Sequence, residues 1–458
     1  HGLAARVVAV AWEVAEDRGF RTIAAKGEAL AWPEVAHTVH VEVAGLQPDR
    51  PYFYRFVAGG ERSPIGRSRT LPAPGAPLAS VRFGVIGCQH FEYGLYTAFR
   101  MMARDDPDFV FHYGDYIYEG RGGPAMVRYE TGEPLPTVRR HIGDECYSLD
   151  DYRQRYAQEK LDLDLQFAHA AAPWLVSYDD HEIVNNWVGD HTDEGVPPEV
   201  FRIRRAAALQ AWYENTPVRR RVAPVNGVSA MHRAFQYGDL LDARVLDTRQ
   251  FRSPQPCDDR FGTTECAGVH DPRAEIVGPA QEKWLVDGLA GSKARWKAIL
   301  QQVMMMDLDR ARDDAVRTIN PDSWAGYAVP RDRLLNALRD RRIGNVVALT
   351  GDEHQNFAGE LRASTAREAA PAAIEFVLTS ATSGGDGQDV RPGSDRILAR
   401  NPGLKFINDQ RGYGLCTVTP DRFETAFRVL DQVSRPGGIV STRATLTVPN
   451  GASRIEPA

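Results

Sequence analysis

Five apolar segments of this chain each end directly in metal-binding or charged side chains, and this repetition constrains the fold more than any other feature. The segments are as short and apolar as buried strands, and they lie at 81–86, 109–113, 174–178, 243–246 and 346–350. Their endings are Gly87-Cys88-Gln89-His90, Gly114-Asp115-Tyr116-Ile117-Tyr118, Asp179-Asp180-His181-Glu182, Asp247-Thr248-Arg249 and Gly351-Asp352-Glu353-His354. In an open α/β sheet, ligands bind outside the carboxyl ends of the strands, so we expect these endings to converge on one site.

The chemistry of the five endings indicates that this site holds metal ions. The endings supply a thiol, a phenol, several carboxylates and two imidazoles, which together suit more than one cation. A nucleophile site built from Ser, His and Asp would need a different set of side chains. The sequence therefore predicts a metallohydrolase.

Composition argues against several other classes of function. The chain has 458 residues, enough for a large core, and a formal net charge of -6 with acidic and basic residues interspersed. It carries no basic stripe of the kind that binds nucleic acid, and no apolar run approaches the ~20 residues of a membrane-spanning helix. We expect a soluble globular protein with no specific nucleic-acid surface and no transmembrane segment. Its oligomeric state is left open.

The apolar pattern predicts two domains. Residues 1–72 contain alternating runs at 6–14, 37–43 and 52–58 and no convincing helix, which indicates a small β-sandwich. Residues 45–56 resemble the corner and following strand of a fibronectin type III domain. A proline-rich stretch at 71–77 reads as a stiff linker. Strands that alternate with amphipathic helices then predict an α/β domain over 79–458.

The coarse elements of the second domain follow from the same pattern. Helices are predicted at about 94–105, 150–168, 199–215, 280–290 and 328–340, and late strands at about 373–380, 413–419 and 423–433. Met304-Met305-Met306 is interpreted as core strand. Ser383-Gly384-Gly385-Asp386-Gly387 is predicted to be a flexible loop among the late strands.

Asp115 and Tyr118 belong to the sharpest of the five motifs. The two oxygens of a strand-terminal carboxylate such as Asp115 can bridge two cations, and Tyr118, three positions later, can return to the same cation. A phenolate ligand favours a strongly Lewis-acidic ion such as ferric iron. The alternative is an aspartate in a turn beside buried tyrosines.

Four consecutive ionisable residues at 179–182 are unfavourable directly after an apolar strand unless a cation compensates them. In the metal interpretation Asp180 is a ligand, and His181 faces the substrate, where it neutralises phosphate charge or protonates the leaving oxygen. The alternative is a solvated helix N-terminus, where acidic residues are favoured by the helix dipole. Asn186 and its neighbours do not decide between the two.

The last two endings add further candidates. Asp352 and His354 lie two residues apart, on one side of an extended segment, and could serve two adjacent cations. Arg249 supplies a guanidinium group that matches phosphate oxygens, although surface salt bridges are the commoner use of arginine.

The cysteines differ in their surroundings. Cys88 stands beside a glycine at a strand end, where a thiolate ligand or nucleophile is expected. Cys257 and Cys266 bracket a short polar loop and could form a local disulfide in an oxidising compartment.

With these motifs, the chain resembles the PhoD-like alkaline phosphatases and phosphodiesterases of the calcineurin-like metallophosphoesterase superfamily, whose site is similar to that of purple acid phosphatases. Order and spacing fit over nearly all of the chain. Further segments that carry the resemblance are Asn185-Asn186-Trp187, Gln281-Glu282-Lys283-Trp284-Leu285, Asp322-Ser323-Trp324 and Ser383-Gly384-Gly385-Asp386-Gly387. The resemblance implies an α/β fold, a two-sheet sandwich flanked by helices, preceded by the small fibronectin type III-like β-sandwich.

The resemblance also implies a ferric ion and one or two calcium ions in one site. The implied metal ligands are Cys88, Asp115, Tyr118, Asp180, Asp352 and His354. Carboxylates on the calcium side are reasonable, because Ca²⁺ prefers carboxylate oxygen to imidazole nitrogen. His181 corresponds to the substrate-facing histidine and acts with the bridging Asp115 in catalysis. Arg249 and Asn186 are the candidates for substrate contact.

The predicted reaction is hydrolysis of a phosphate ester, in which a metal-activated hydroxide attacks phosphorus in line and His181 helps the alkoxide leave. One alternative is a 5'-nucleotidase-like or cyclic-nucleotide phosphodiesterase with two similar divalent metals. Another is a secreted binding protein whose hydrolase site has decayed. Preference for monoesters or diesters and the natural substrate are left open.

The cellular location follows only from the resemblance. Relatives of this kind are typically exported with a twin-arginine signal, which implies a periplasmic, cell-wall-associated or secreted protein. The chain opens at His1 in what reads as the middle of a strand, so we expect further residues upstream in the natural protein.

Overall fold

Strands precede residue 80, and strands and helices alternate after it. The structure, a computed structural model, describes residues 5–123, 134–192, 194–312, 316–363 and 370–457, so the start at His1 lies outside the described residues. The α-helices are α1 Thr97–Arg104, α2 Leu149–Glu159, α3 Leu163–Ala171, α4 Pro198–Asn215, α5 Gly278–Gly291, α6 Ala328–Asp340 and α7 Ser394–Arg400. The strands are β1 Val8–Ala15, β2 Ile23–Ala31, β3 Pro51–Ala58, β4 Glu61–Arg62, β5 Gly66–Arg69, β6 Val81–Ile86, β7 Phe109–His112, β8 Trp174–Val176, β9 Arg233–Tyr237, β10 Leu241–Val245, β11 Thr263–Thr264, β12 Trp296–Leu300, β13 Thr318–Ile319, β14 Val346–Thr350, β15 Asn356–Leu361, β16 Ala373–Val377, β17 Leu404–Asn408, β18 Gly412–Val418, β19 Arg422–Leu430, β20 Val440–Pro449 and β21 Glu456–Pro457.

The N-terminal region forms an antiparallel sheet of five strands. Its order is β2-β1-β3-β4, and β5 also pairs with β3. The predicted strand at 37–43 is wrong, because the structure describes these residues without a strand and uses Ile23–Ala31 instead. Ala36 and His37 have left-handed φ angles of 52° and 56°, which interrupt an extended chain.

Two seven-stranded sheets follow the N-terminal region, together with a two-stranded antiparallel sheet of β11 and β13. The first has the order β21-β20-β19-β18-β6-β7-β8, in which β6, β7 and β8 run parallel and the remaining pairs are antiparallel. The second has the order β17-β15-β16-β14-β12-β10-β9, with a parallel centre of β10, β12, β14 and β16. Three of the five charged endings therefore follow the first sheet and two follow the second.

The two sheets pack face to face and are covered by helices. In β14, Val347 and Leu349 belong to the core between the sheets, whereas Val346 and Ala348 belong to a second core that includes leucines of α5 and α6. This alternation is the period of a strand buried on both faces. The predicted α/β two-sheet sandwich flanked by helices is confirmed.

Some predicted elements differ in detail. The helix predicted at 150–168 is two helices, α2 and α3, because the Asp162 carboxylate accepts hydrogen bonds from Asp164 N and Leu165 N and caps a new helix start. The segment 304–306 is buried as predicted but lies in a loop after β12. No helix within the described ranges combines the length and the apolar character needed to cross a membrane.

Candidate metal centre

The structure gathers Cys88, Asp115, Tyr118 and His354 from three different strand ends. Candidate ligand atoms of Cys88, Asp115 and His354 all lie within 4.8 Å of one another. The Tyr118 hydroxyl donates to Asp115 Oδ2 at 2.9 Å and lies 3.4 Å from His354 Nε2. Four residues from three separate sequence motifs are therefore neighbours.

Two further groups extend this cluster. One consists of Asp115, Asp180 and His181, and the other of Asp179, Asp180 and Asp352, each with ligand atoms within 4.8 Å of one another. Asp115 and Asp180 each belong to two groups, so the three groups form one continuous centre. Asp179 was not predicted as a ligand, although its place in the acidic run at 179–182 was the available signal.

Four candidate ligands have an unusual backbone. The φ angles are 49° at Cys88, 55° at Asp115, 66° at Asp352 and 54° at His354, all in the left-handed region that residues with a Cβ rarely adopt. Such conformations persist where the surrounding structure enforces them, and they concentrate at functional sites. Here they turn the side chains of the strand ends towards one another.

Tyr113 explains two of the glycines that precede the ligands. A Cβ at Gly87 would lie 2.3 Å from the Tyr113 ring, and one at Gly351 would lie 2.1 Å from it. The Tyr113 ring is buried, and its hydroxyl donates to the Thr379 carbonyl at 2.8 Å. The two glycines thus allow strand ends of both sheets to approach one aromatic ring.

Glu182 joins two of the ligand-bearing segments. Its carboxylate accepts hydrogen bonds from the backbone N–H groups of Asp115 at 3.0 Å, Tyr116 at 2.7 Å and Asp179 at 2.8 Å. The side chain is fully buried. The sequence placed Glu182 in the acidic run but gave no sign that it fastens the ends of β7 and β8 to each other.

The electrostatics of the cluster favour bound cations. Burial raises the pKa of Asp115 well above its usual range, and the Asp180 carboxylate raises it further. Burial and the Asp179 carboxylate likewise raise the pKa of Asp352. Burial also raises the pKa of the Cys88 thiol, and the Asp115 carboxylate raises it further. Crowded, desolvated acidic groups of this kind are stabilised in their charged form by a nearby cation.

Two buried oxygens of the cluster accept no hydrogen bond from the residues that the structure describes. They are Asp179 Oδ2 and Asp180 Oδ1, and the second lies 3.6 Å from Arg249 Nη2, too far for a hydrogen bond. An unpaired buried carboxylate oxygen is unfavourable, and a cation is the partner that this donor set would suit. The residues present therefore fit bound metal ions.

His181 is held by a carboxylate that the sequence did not single out. His181 Nδ1 lies 2.7 Å from Glu119 Oε2, and the other oxygen of Glu119 accepts from Asn185 N at 2.8 Å. Burial alone would lower the pKa of His181, but the Glu119 and Asp180 carboxylates raise it well above its usual value. The imidazole side chain keeps 20% of its surface exposed, so it remains accessible to a ligand.

Arg249 lies behind the carboxylates. Its side chain is 0% exposed, its Nε donates to Asp179 Oδ1 at 2.6 Å, and its Nη1 donates to Asp322 Oδ1 at 2.9 Å. The structure therefore places this guanidinium group in buried ion pairs and not at an open surface where a substrate would arrive. The sequence pattern could not distinguish a buried ion pair from a phosphate contact, because the ion pairs join distant segments.

Asn186 lies at the edge of the centre. Its backbone N–H donates to Asp180 Oδ2 at 2.8 Å, and its side-chain Nδ2 donates to Asp259 Oδ2 at 2.7 Å. Asp259 belongs to the loop closed by the disulfide between Cys257 and Cys266, which the structure contains. Asn186 thus connects the disulfide loop with a candidate metal ligand.

The fold and the site together define a two-sheet α/β protein with a candidate metal centre at the ends of its strands. Comparison with known proteins names the family. The model of the family described as PhoD-like phosphatase matches residues 83–427, and that of the PhoD-like phosphatase N-terminal domain matches residues 2–72. The chain belongs to the PhoD-like phosphatase family and is a phosphoric ester hydrolase.

Individual relatives agree with this assignment. Alkaline phosphatase D of Bacillus subtilis (strain 168) is 42% identical over 445 residues, which are 97% of this chain and 75% of that protein. A solved structure of PhoD matches with a TM-score of 0.96 at 40% identity, over 100% of this chain and 86% of that one. The resemblance predicted from the motifs is confirmed.

Proposed function

We propose that the chain hydrolyses phosphate esters, as an alkaline phosphatase or phosphodiesterase, at a mixed centre of one ferric ion and one or two calcium ions. The observation that carries the proposal is the sharing of Asp115 and Asp180 among three groups of candidate ligands. Shared carboxylates can bridge adjacent cations, which is the arrangement needed to hold the oxygens of one phosphoryl group between metals.

The donor chemistry supports different ions in the two halves of the centre. Cys88, Tyr118 and His354 offer sulfur, phenol oxygen and imidazole nitrogen, a set that suits a transition metal better than calcium. Asp179, Asp180 and Asp352 offer only carboxylate oxygens in their group, which suits Ca²⁺. The bound cations would supply Lewis acidity that polarises the phosphoryl group and lowers the pKa of the attacking water.

Side chains of the protein would protonate the leaving group, hold the centre together and contact the substrate. We assign His181 to the leaving group, because it is partly exposed beside the cluster and Glu119 at its Nδ1 favours the protonated imidazole, whose Nε2–H is then free to be given to the leaving oxygen. Asp115 would hold the two halves of the centre together. We assign Arg249 to the support of Asp179 and not to direct phosphate contact, and Asn186 to the edge of the substrate site next to Asp180.

Metal analysis combined with spectroscopy and assay tests this proposal. Elemental analysis of the purified protein should find iron and calcium, and the solution should be coloured, because a tyrosinate or thiolate bound to ferric iron absorbs visible light. Aryl phosphate monoesters and diesters serve as general substrates. A colourless, active protein that contains only zinc, magnesium or another divalent ion would overturn the mixed centre and favour the enzyme with two similar divalent metals.

We further propose that the protein works outside the cytoplasm, in the periplasm, at the cell wall or in the medium. The disulfide between Cys257 and Cys266 supports this location, because disulfides persist in oxidising compartments. Fractionation of cells that express the natural protein tests it. Activity confined to the cytoplasmic fraction, with free thiols at both cysteines, would contradict the proposal.

A further inference from the structure

The segment Ser383-Gly384-Gly385-Asp386-Gly387 lies against the candidate metal centre. The Ser383 hydroxyl lies 2.6 Å from the Tyr118 phenol oxygen and 2.8 Å from the Cys88 carbonyl oxygen, to which it can donate. The backbone N–H of Ser383 also donates to the Cys88 carbonyl at 3.2 Å. One buried serine therefore touches two of the segments that carry candidate ligands.

The segment was predicted to be a flexible loop, but its far end makes specific hydrogen bonds. The Asp386 carboxylate accepts hydrogen bonds from Val433 N at 2.6 Å, from Ser434 N at 2.7 Å and from Ser434 Oγ at 2.7 Å. A Cβ at Gly387 would lie 2.1 Å from the Asp409 carbonyl oxygen, so the glycine allows close packing. The glycines adopt left-handed φ angles that residues with a Cβ rarely adopt, and the hydrogen bonds of Asp386 hold the far end of the segment in place.

Arg411 links the segment to a third candidate ligand. Its Nη1 donates to the Ser383 carbonyl at 2.8 Å and to the His354 carbonyl at 2.6 Å, and its side chain is buried. The position of Ser383 is therefore fixed relative to Cys88, Tyr118 and His354 together. These are the three non-carboxylate ligands assigned to the iron side.

The ring of Tyr118 is also confined on its faces. The imidazole of His90 lies 4.3 Å from it and that of His181 lies 4.2 Å from it, measured between ring centroids. Both imidazoles are tilted against the phenol ring, by 41° and 34°, and such contacts confine the ring but leave the direction of its oxygen to polar contacts. At that oxygen the contacts are Asp115, Ser383 and His354.

We propose that Ser383 is a positioning residue for Tyr118. The Tyr118 hydroxyl gives its one proton to Asp115, and a metal-bound phenolate has none, so the contact with Ser383 requires the serine hydroxyl to be the donor. The single proton of that hydroxyl then turns from the Cys88 carbonyl, which still accepts from the N–H of Ser383, to the phenol oxygen. That hydrogen bond directs the phenol oxygen towards Cys88 and His354 and withdraws electron density from it. The inference rests on the proposed iron centre and extends it to a residue outside the ligand set.

The test compares Ser383→Ala with Ser434→Ala. Both changes remove a hydroxyl from a contact of the same segment, but only Ser383 touches Tyr118. In Ser383→Ala the visible band should move to longer wavelength, because the lost hydrogen bond no longer stabilises the filled phenolate orbital. Iron retention against a chelator should weaken by ~10-fold or more, as for other partners of metal ligands. Ser434→Ala should leave the band in place.

A measurement on the unchanged protein covers the case in which Ser383→Ala does not fold. Resonance Raman spectra in H₂O and D₂O should show a shift of the tyrosinate C–O stretch, since the proposed hydrogen bond carries an exchangeable proton. A stretch that does not respond to D₂O would overturn the inference, as would an unmoved band in folded Ser383→Ala.

The outcomes also separate this inference from the proposed function. Unchanged protein that lacks iron and colour would overturn the iron centre and this inference with it. A coloured, iron-containing protein whose band is the same in Ser383→Ala would overturn the role of Ser383 alone. A purely structural role would shift the band equally in both serine variants.

Discussion

Glu119 Oε2 lies 2.7 Å from His181 Nδ1, and this contact determines which imidazole nitrogen is free to act. The other nitrogen, Nε2, is directed towards the cluster and lies 4.0 Å from Asp180 Oδ2. A carboxylate on one side of an imidazole fixes its orientation and stabilises its protonated form. The pair is therefore suited to give a proton to a leaving oxygen at the centre.

We predict that Glu119→Gln lowers kcat without loss of metal. His181→Ala removes the proposed general acid and should lower kcat by ~10²-fold or more. Glu119→Gln leaves the imidazole in place and should lower kcat by less. Steady-state kinetics with an aryl phosphate and elemental analysis measure both quantities. The exposed Glu199 of α4 provides a control in Glu199→Gln. Unchanged kcat in Glu119→Gln would show that the contact does not assist catalysis.

We predict that Arg249→Met destabilises the whole fold. The buried guanidinium group pairs with Asp179 and with Asp322. Asp322 would keep Arg252 at 2.6 Å, so the loss falls on Asp179, and removing one partner of a buried ion pair costs about 3–5 kcal/mol. Urea unfolding of the holoprotein measures the loss, with the exposed Arg18→Met as the control. If Arg249 instead contacted phosphate directly, the variant would keep its stability and raise KM.

The strand ends that carry the candidate ligands were predictable because their signal is local. An apolar run followed by glycine and ionisable residues identifies a buried strand end wherever it occurs, and Cys88, Asp115 and Asp352 were found in this way. The helix Ala328–Asp340 was predicted at its observed bounds for the same reason, since apolar periodicity is a property of a short window.

The contacts that escaped prediction join segments that are distant in the sequence. Ser383 touches Tyr118, and Arg249 contacts Asp179, although nothing near either residue in sequence marks the partner. The order of the strands in the sheets could not be predicted for the same reason. It depends on pairs such as Val418 of β18 and Val81 of β6, which lie at opposite ends of the domain in sequence. The apolar pattern within a short stretch of sequence indicates which face of an element is buried, but it does not indicate which other element covers that face.

We predict that Gly351→Ala weakens metal binding and lowers stability. The new methyl group would lie 2.1 Å from the Tyr113 ring, which is enclosed in the core, so the ligand-bearing strand end after β14 must shift. Overpacking of this kind typically costs about 1–3 kcal/mol. Thermal unfolding and metal content provide the measurements. Gly344→Ala is the matched control, because a Cβ there meets nothing within 4 Å; equal effects in both variants would refute the packing argument.

We predict that removing the disulfide weakens the proposed calcium side of the centre. In Cys257→Ser with Cys266→Ser, Asp259 would be held less firmly against Asn186, whose backbone N–H contacts Asp180. Losing the cross-link should lower stability by up to about 3 kcal/mol and reduce calcium retention while iron stays bound. Elemental analysis after dialysis against a chelator tests this. Calcium retained as in the unchanged protein would show that the loop does not support Asp180.

We predict that Asp115→Asn removes both kinds of metal, because Asp115 belongs to the group with Cys88 and His354 and to the group with Asp180. Asp352→Asn should remove only calcium, since Asp352 shares a group with carboxylates alone. Metal content and turnover of an aryl phosphate distinguish the two variants, and Asp340→Asn at the exposed end of α6 serves as the control. Full iron and full activity in Asp115→Asn would disprove the shared ligand. Equal loss of iron from both variants would show that the two halves of the centre do not bind their ions separately.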